Sequence, residues 1–265
     1  MNIVVCIKQV PDTQDIKWTD KGTMIREGVE SIINPYDEYA LEYALKIKNK
    51  LPDTKITVIS MGPMQAKELL KVALAKGADE AVLACDKKFA GADTFATSST
   101  LFHTIKKYAP DFDLIICGQF AIDGDTAQTA PSLAGQLNIP QITFVTDILE
   151  FNEKEITTTK ETEEGFIISK AKYPLVLSVM KRNEEPENYT IKGYIKACNT
   201  DIKIAGKDDI EIDENLIGFK GSPTYVSKSF PPKFERKGEL LTGTPENQAE
   251  KLLDIINTKI MEGKE

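Results

Sequence analysis

The chain contains few of the residues that carry metal and acid–base chemistry in proteins. It has one histidine, His103, and its four cysteines are far apart in the sequence: Cys6, Cys85, Cys117 and Cys198. Zinc sites and nucleophilic catalytic centres need clustered cysteines or at least one well-placed imidazole, so we expect neither a metal site nor a catalytic triad. His103 lies in a helical pattern of apolar residues, and we interpret it as a structural residue.

Long apolar runs and an excess of basic residues are also missing. No stretch approaches the roughly 18 apolar residues that a membrane-spanning helix needs, and the N-terminus has no basic segment followed by a long apolar one. Lys and Arg number 33 against 41 Asp and Glu, which gives a formal net charge of -8. We therefore expect a cytoplasmic protein without membrane insertion and without generic nucleic-acid binding.

The glycine-rich motifs that bind phosphates are absent as well. Residues 8–12, the loop after the first apolar strand, contain no glycine, so the G-x-G-x-x-G fingerprint does not occur there. The chain also has no G-x-x-x-x-G-K-[ST] loop. These absences argue against a standard dinucleotide-dependent dehydrogenase and against a P-loop NTPase.

What the sequence does contain is an alternation of apolar strands with helices. Strands that are apolar on both faces are predicted at residues 2–8, 55–60, 81–84 and 113–117. Between them, helices are predicted at residues 35–49, at residues 63–76 and around His103. Such strands pair in parallel and are covered by helices. The pattern predicts an α/β fold with an open, mostly parallel, doubly wound sheet of the Rossmann-like kind.

The second half of the chain predicts further elements and a domain boundary. The elements are a helix at 126–138, a strand pair at 155–160 and 166–172, and a strand at 174–180. The core is predicted to close near residue 195. Residues 196–265 are interpreted as an extended arm, rich in proline and glycine, that cannot build its own core and ends in an amphipathic helix starting at Thr244 and Pro245. That helix could dock on the chain's own core or on a partner chain.

The loop after the strand at 113–117 is a candidate anion site. Gly124 lets the backbone approach a ligand, Asp125 is predicted to cap the next helix with Gln128 as in a capping box, and Thr126 and Thr129 add hydroxyl donors. The carboxylate of Asp123 counts against an anion, and an ordinary helix start explains the same residues.

Two other loops join a strand or extended segment to a helix through proline. They contain Asn34-Pro35-Tyr36 and Met61-Gly62-Pro63. If the sheet order brings them beside residues 123–129, three helix N-termini converge on one crevice, which is the geometry expected for an adenine nucleotide.

Several separate motifs resemble one known family. They are Asn34-Pro35, Met61-Gly62-Pro63, Ala121-Ile122-Asp123-Gly124-Asp125-Thr126-Ala127-Gln128-Thr129, and Asn183-Glu184-Glu185-Pro186 after Lys181-Arg182. Together they resemble the β subunit of electron-transfer flavoproteins, and the resemblance covers essentially the whole chain. It implies that residues 1–195 are an adenine-nucleotide-binding domain and that residues 196–265 pack on a larger α subunit, whose mobile flavin domain exchanges electrons with a dehydrogenase.

Members of this family differ in what the β subunit holds. In simple members it is AMP, which has no redox role, and their loop tends to carry a further acidic residue where this sequence has Gly124. The form Asp-Gly-Asp-Thr-Ala-Gln at residues 123–128 instead resembles the electron-bifurcating group, whose β subunit carries a second FAD. Glycine fits this physically, because it removes a negative charge and opens space beside a pyrophosphate.

For this chain the resemblance implies FAD as cofactor, NADH as hydride donor, ferredoxin or flavodoxin as the low-potential acceptor, and an FAD-linked dehydrogenase of acyl-CoA or lactate type as partner. The chain would supply binding and tuning, with no catalytic side chain of its own. Two other interpretations stay open. One is a β subunit that holds AMP, and the other is a stand-alone nucleotide-binding enzyme or sensor of the same fold.

The resemblance also assigns residues by position. Those expected to line the nucleotide site are Cys6, Asn34, Tyr36, Met61, Phe120, Asp123, Gly124, Asp125, Thr126, Ala127, Gln128 and Thr129. Packing within the fold would also explain Cys6 and Met61, which we rank below residues 123–129. Residues 181–196 match the segment by which the family anchors its dehydrogenase, and the residues assigned to the partner are Lys181, Arg182, Asn183, Glu184, Glu185 and Pro186. A solvated charged loop would also explain this segment.

Overall fold

The computed structural model describes residues 1–12, 17–18, 24–25, 31–227, 238 and 240–262. The chain divides into two units, Met1–Lys228 and Ser229–Glu265. The strands of the first unit are β1 (Asn2–Cys6), β2 (Gln9–Pro11), β3 (Lys17–Trp18), β4 (Met24–Ile25), β5 (Ser31–Ile33), β6 (Lys55–Met61), β7 (Glu80–Ala84), β8 (Leu114–Gly118), β9 (Gln141–Val145), β10 (Asp147–Phe151), β11 (Glu155–Thr162), β12 (Gly165–Lys172), β13 (Leu175–Val179) and β14 (Ile202–Ala205). Its helices are α1 (Pro35–Lys50), α2 (Lys67–Lys76), α3 (Thr94–Tyr108), α4 (Thr129–Leu137) and α5 (Ile191–Cys198).

Seven of these strands form a parallel sheet in the order β14-β7-β6-β1-β8-β13-β9. In the middle of the sheet, Ile3 of β1 lies between Ile56 of β6 and Leu114 of β8. All five side chains of β13 are buried, as are the last four of β1. Strands buried on both faces need helices on both sides, and this explains their continuous apolar sequences.

The helices lie in two layers. Leu41 and Ile47 of α1, Leu70 of α2 and Ala197 of α5 pack in the core on one face of the sheet. The core on the other face contains Leu101 and Ile105 of α3 together with Leu133 and Ala134 of α4. The predicted doubly wound α/β fold is therefore confirmed.

A smaller antiparallel sheet has the strand order β10-β11-β12. Strands β11 and β12 are the predicted strand pair, joined at the turn where Thr162 pairs with Gly165. Phe166 and Ile168 of β12 are exposed in this unit.

The first unit extends beyond the boundary predicted at residue 195. Strand β14 adds to the parallel sheet beside β7, and Ile210, Ile212 and Ile217 are buried against the α3 and α4 face. In the structure, Met1–Lys228 forms one unit, which includes β14 and the segment that follows it. The short apolar patches that suggested an arm are the contacts of a parallel edge strand and of the segment that follows it.

The described residues of the second unit contain one helix, α6 (Pro245–Glu262). Asn247 donates from its backbone N–H to the Thr244 hydroxyl at 3.4 Å, so the predicted start at Thr244 and Pro245 is confirmed. The apolar side chains of Leu252, Leu253 and Ile256 are exposed in the described residues. Over the parts of the chain that the structure describes, no helix combines the length and apolar character needed to cross a membrane.

Candidate functional site

The sheet order places a crevice between the carboxyl ends of β1 and β8. These strands are neighbours, but α1, which follows β1, covers one face of the sheet, and α4, which follows β8, covers the other. The two connections therefore diverge at this edge. In open α/β sheets, ligands bind at this kind of switch point.

Asn34 joins the start of α1 to the loop after β8. Its side chain is buried; Nδ2 donates to the Phe120 carbonyl at 2.6 Å, and Oδ1 accepts from the Ile122 N–H at 3.2 Å. The side chain does not cap α1. Two of the loops that the sequence singled out are therefore brought together by direct hydrogen bonds. Met61 lies at the same edge, at the end of β6, which pairs with β1.

Asp37, in the first turn of α1, binds the ends of both strands that border the crevice, β1 and β8. Its buried carboxylate accepts hydrogen bonds from the N–H groups of Lys8 at 2.8 Å and Gly118 at 3.0 Å. Burial raises the pKa of Asp37 to about 7, although the hydrogen bonds from Lys8, Asn34 and Gly118 act in the opposite direction. A Cβ on Gly118 would lie 2.6 Å from the Cβ of Tyr36, so only glycine fits there.

An aromatic row borders the loop after β8. The ring of Phe120 meets Tyr36 edge-on with 5.3 Å between centroids, and meets Phe144 edge-on at 5.8 Å. Tyr36 and Phe120, both assigned to the nucleotide site from the sequence, are thus in contact. Phe144 was not assigned.

Residues 123–128, which we call the nucleotide loop, do not form the capping box that the sequence predicted. Helix α4 begins at Thr129 rather than at residue 126, its N-cap residue is Gln128, and no side chain caps it. Asp125 and Ala127 have φ values of 51° and 56°, in the left-handed region that turns the chain away from helix. The sequence Thr126-Ala127-Gln128 is compatible with a first helical turn, which is why the helix was predicted to begin there. The prediction is wrong because the left-handed backbone at Asp125 and Ala127 makes this stretch a loop.

Because no side chain caps α4, backbone donors at its start are without an acceptor in the described part of the chain. Among the described residues, none accepts a hydrogen bond from the N–H groups of the range 126–130. The hydroxyls of Thr126 and Thr129 lie in the same stretch. Free N–H groups at a helix N-terminus attract anions.

The two acidic residues of the nucleotide loop differ in their surroundings. The carboxylate of Asp123 pairs with the ammonium of Lys8 at 2.5 Å, which compensates its charge. Asp125 is exposed, and its N–H is bound by the carbonyl of Ala121 at 2.8 Å. Between them, a Cβ built on Gly124 meets no atom of the described residues within 4 Å. The loop therefore has room for a ligand.

Two thiols lie beneath the crevice. Cys6 and Cys117 are register partners at the ends of β1 and β8, and both are buried. A hydrogen bond with Cys6, together with burial, raises the pKa of Cys117 well above its ordinary value. The Cys117 thiol is therefore neutral near pH 7, and the pair forms part of the apolar core below the site.

Residues 181–186 follow β13 and contact α1. Arg182 is half-buried: its guanidinium lies over the ring of Tyr43 at 5.7 Å, and its carbonyl accepts from the Tyr39 hydroxyl at 3.0 Å. It thus attaches the segment to α1. Lys181, Asn183, Glu184 and Glu185 are exposed, and Pro186 is half-exposed.

Helix α5, which follows, carries an apolar surface. Thr190 caps it by accepting from the Gly193 N–H at 3.0 Å, and Gly193 packs so closely on the Ala75 carbonyl that a Cβ would clash. This contact leaves four apolar side chains exposed: Tyr189, Ile191, Tyr194 and Ile195. We call them the α5 patch.

Some residues of the site carry no assignment from the sequence. Gln119 is buried and holds two groups through Oε1, which accepts from the Phe144 N–H at 2.7 Å and from the Ser178 hydroxyl at 2.5 Å. Its Nε2 has no partner among the described residues. Nothing in the local sequence marks Gln119 or Lys8, since both simply follow apolar strands.

Comparison with known proteins gives a consistent result. The electron transfer flavoprotein domain model matches residues 21–209. The chain is 45% identical over 261 residues to the electron transfer flavoprotein subunit beta of Thermoanaerobacterium thermosaccharolyticum, covering 98% of this chain and 99% of that protein. It is 44% identical over 249 residues to the caffeyl-CoA reductase-Etf complex subunit CarD of Acetobacterium woodii, covering 94% of each. It is also 36% identical over 266 residues to the acryloyl-CoA reductase electron transfer subunit gamma of Anaerotignum propionicum, covering 98% and 99%.

Proposed function

Because this chain belongs to the electron transfer flavoprotein family and is similar to its beta subunits over nearly its whole length, we propose that it pairs with an α subunit and binds FAD in the crevice between β1 and β8. The complex would bifurcate electrons and serve an FAD-linked dehydrogenase. When bound, FAD would take a hydride from NADH and release its electrons singly, one to ferredoxin or flavodoxin and one to the flavin of the α subunit.

The observation that carries the proposal is the uncapped start of α4. N–H groups in the range 126–130 lack acceptors among the described residues, and hydroxyls of Thr126 and Thr129 lie beside them. This donor set suits a phosphate or pyrophosphate. Because Gly124 has no side chain and a Cβ built on it meets no described atom within 4 Å, the space beside it is open to a ligand. The residues present therefore fit the phosphates of an adenine dinucleotide.

The net charge of -8 does not exclude an anionic ligand at this loop. The Lys8 ammonium lies on Asp123, which leaves the exposed Asp125 as the acidic group of the loop without an ion pair among the described residues. Charges within a few ångström of the loop affect a bound ligand more than the charges of the rest of the chain do, because salt solution screens charges over roughly 10 Å.

In this proposal the side chains bind and position the ligand, and none performs acid–base chemistry. Asn34 and Asp37 hold the loops after β1 and β8 in place, and the neutral thiol of Cys117 closes the floor. His103 lies on α3, packs edge-on against Phe102 at 5.1 Å, and has its pKa lowered by burial. It remains a structural residue.

The test is the flavin and AMP content of the complex purified after co-expression of the chain with its α subunit. We expect two FAD per heterodimer and no AMP. One FAD together with one AMP would instead establish a β subunit with a structural nucleotide, as in the alternative interpretation. A chain that purifies without any α subunit would exclude the heterodimer.

The dehydrogenase is proposed to dock on residues 181–196. The α5 patch is the apolar part of that segment, and Ile191, which is 82% exposed, is its most accessible side chain. Exposed large apolar side chains next to polar loops mark protein contacts. The names of two relatives refer to reductases of CoA esters, and they favour an acyl-CoA substrate over lactate.

Replacement of Ile191 by aspartate is expected to weaken electron transfer to the dehydrogenase roughly tenfold or more, because a charge replaces a central apolar contact. The apparent KM of the dehydrogenase for the complex should rise, while flavin content stays unchanged. Ile204→Asp on β14 is the matched control, since Ile204 is an exposed isoleucine outside the segment. Equal effects of the two variants would contradict docking at α5.

A further inference from the structure

One carboxylate outside the crevice joins two segments that are far apart in the chain. Asp93 caps α3, where Oδ1 accepts from the Ala96 N–H at 3.0 Å. Its Oδ2 accepts twice from Thr224, from the N–H at 2.9 Å and from the hydroxyl at 2.7 Å. Burial acts to raise the pKa of Asp93, but the bonds from Ala96 and Thr224 lower it overall, so the group is ionised at neutral pH.

The segment that Asp93 holds, residues 218–224, is called the arm base here because the chain continues from it towards α6. It lies against the loop before α3. The Phe219 N–H donates to the Ala90 carbonyl at 3.0 Å, and the Asp93 N–H donates to the Ser222 hydroxyl at 2.8 Å. The Ser222 hydroxyl in turn donates to the Gly218 carbonyl at 2.7 Å. The arm base and the start of α3 therefore form one hydrogen-bonded unit.

The residue after Asp93 reaches the nucleotide loop. The hydroxyl of Thr94 donates to Oε1 of Gln128 at 3.3 Å. Gln128 is the N-cap residue of α4 and directly precedes Thr129. A short path thus runs from the arm base through Asp93 and Thr94 to the free N–H groups proposed to hold phosphate.

We propose that Asp93 is a positioning residue that couples the arm base to the nucleotide loop, so that adenine-nucleotide affinity depends on whether residues 218–224 are held. This rests on the proposed function, because it assumes a nucleotide at the start of α4. Coupling between two sites is reciprocal: a bound nucleotide then tightens the arm base by the same free energy by which the arm base tightens nucleotide binding.

Asp93→Asn separates the two roles of this carboxylate. Asparagine caps helices as well as aspartate does, so Ala96 keeps its bond. The Nδ2 group then faces the Thr224 N–H, and two donors cannot bond. Full-length chain carrying this substitution should bind AMP and FAD roughly three- to tenfold more weakly. Thr224→Val should act in the same direction, and Thr224→Ser should restore wild-type affinity because it keeps both donors.

Asp86→Asn is the matched control. Asp86 also caps a short helix, accepting from the Lys88 N–H at 3.0 Å, and also holds a distant segment, accepting from the Lys207 N–H at 3.0 Å. It has no contact with Gln128 among the described residues. Nucleotide affinity should be unchanged in this variant, even though a comparable anchor is lost.

Hydrogen exchange supplies a readout apart from affinity. Saturating AMP should slow exchange of the Thr224 amide in wild-type chain and leave it unaffected in Asp93→Asn. Wild-type affinity in Asp93→Asn would overturn the coupling while the proposed function stands. Equal weakening in Asp86→Asn would also overturn it, because the effect would then be general loosening. Wild-type chain that binds neither AMP nor FAD would overturn the proposed function, and the coupling with it.

Discussion

Replacement of Gly124 by glutamate is expected to empty the nucleotide site of this subunit while the fold stays intact. A Cβ at position 124 meets no atom within 4 Å in the part of the chain that the structure describes, and the residue lies outside the positive-φ region, so the new side chain is accommodated without strain. The added carboxylate lies beside the N–H groups at the start of α4. Near a protein surface, a like charge a few ångström from a phosphate costs roughly 2–4 kcal/mol, or about a hundredfold in affinity.

The measurement is flavin content per heterodimer, which should fall from two FAD to one, together with the thermal unfolding midpoint, which should not change. Gly135→Glu is the matched control. Gly135 lies on α4, and a Cβ there also meets nothing within 4 Å. This variant adds the same charge to the same helix away from its N-terminus, and it should retain both flavins. Full flavin content in Gly124→Glu would place the nucleotide elsewhere.

The sheet could be predicted from the sequence because its strands are buried on both faces. Ile56, Val58 and Ile59 of one strand and residues 114–117 of the other are apolar, and the structure places these strands as neighbours of β1. Strands of this kind pair in parallel beneath helices, whereas their order in the sheet is not encoded in the runs themselves. Strand β14, which lies beyond the predicted end of the core near residue 195, was not predicted for a related reason. Strand β14 has four residues at the edge of the sheet, with two of them exposed, so its sequence has no continuous apolar run.

The loops of the candidate site could be singled out from the sequence, but the hydrogen bonds between them could not. Glycine and threonine residues drew attention to the nucleotide loop. The left-handed backbone at Asp125 and Ala127 depends on tertiary structure, and the conformational preferences of aspartate and alanine do not predict it. Asp37 did leave a signal. It lies on the same helical stripe as Leu41 and Ala44, both buried, and an acidic residue on an apolar stripe indicates a buried, bonded carboxylate.

Asp37→Asn is expected to destabilise the fold and to weaken nucleotide binding. The carboxyl group of Asp37 accepts from the N–H groups of Lys8 and Gly118 with its two oxygens, whereas an asparagine side chain has one acceptor atom. The N–H group of either Lys8 or Gly118 then faces the NH2 group of asparagine, which is also a donor. An unsatisfied buried donor costs about 1–3 kcal/mol. The loops after β1 and β8 also lose a common anchor, so the two walls of the crevice are no longer held to each other.

The pH dependence of this loss identifies the buried carboxylate. Burial raises the pKa of Asp37 from 3.8 to about 7, so between these values the folded chain binds a proton that the unfolded chain has released. The stability that this proton provides is complete below pH 3.8 and is lost as the pH rises through about 7, with a slope of up to roughly 1.4 kcal/mol per pH unit. Asparagine does not titrate, so wild type and Asp37→Asn should converge in unfolding free energy as the pH is raised, as followed by urea denaturation.

For Asp86→Asn the difference should instead widen from acid pH upward, because hydrogen bonds from the Lys88 and Lys207 N–H groups lower the pKa of Asp86 in the folded chain. A difference between wild type and Asp37→Asn that stays constant from pH 4 to pH 8 would show that Asp37 is ionised throughout and that its hydrogen bonds outweigh its burial.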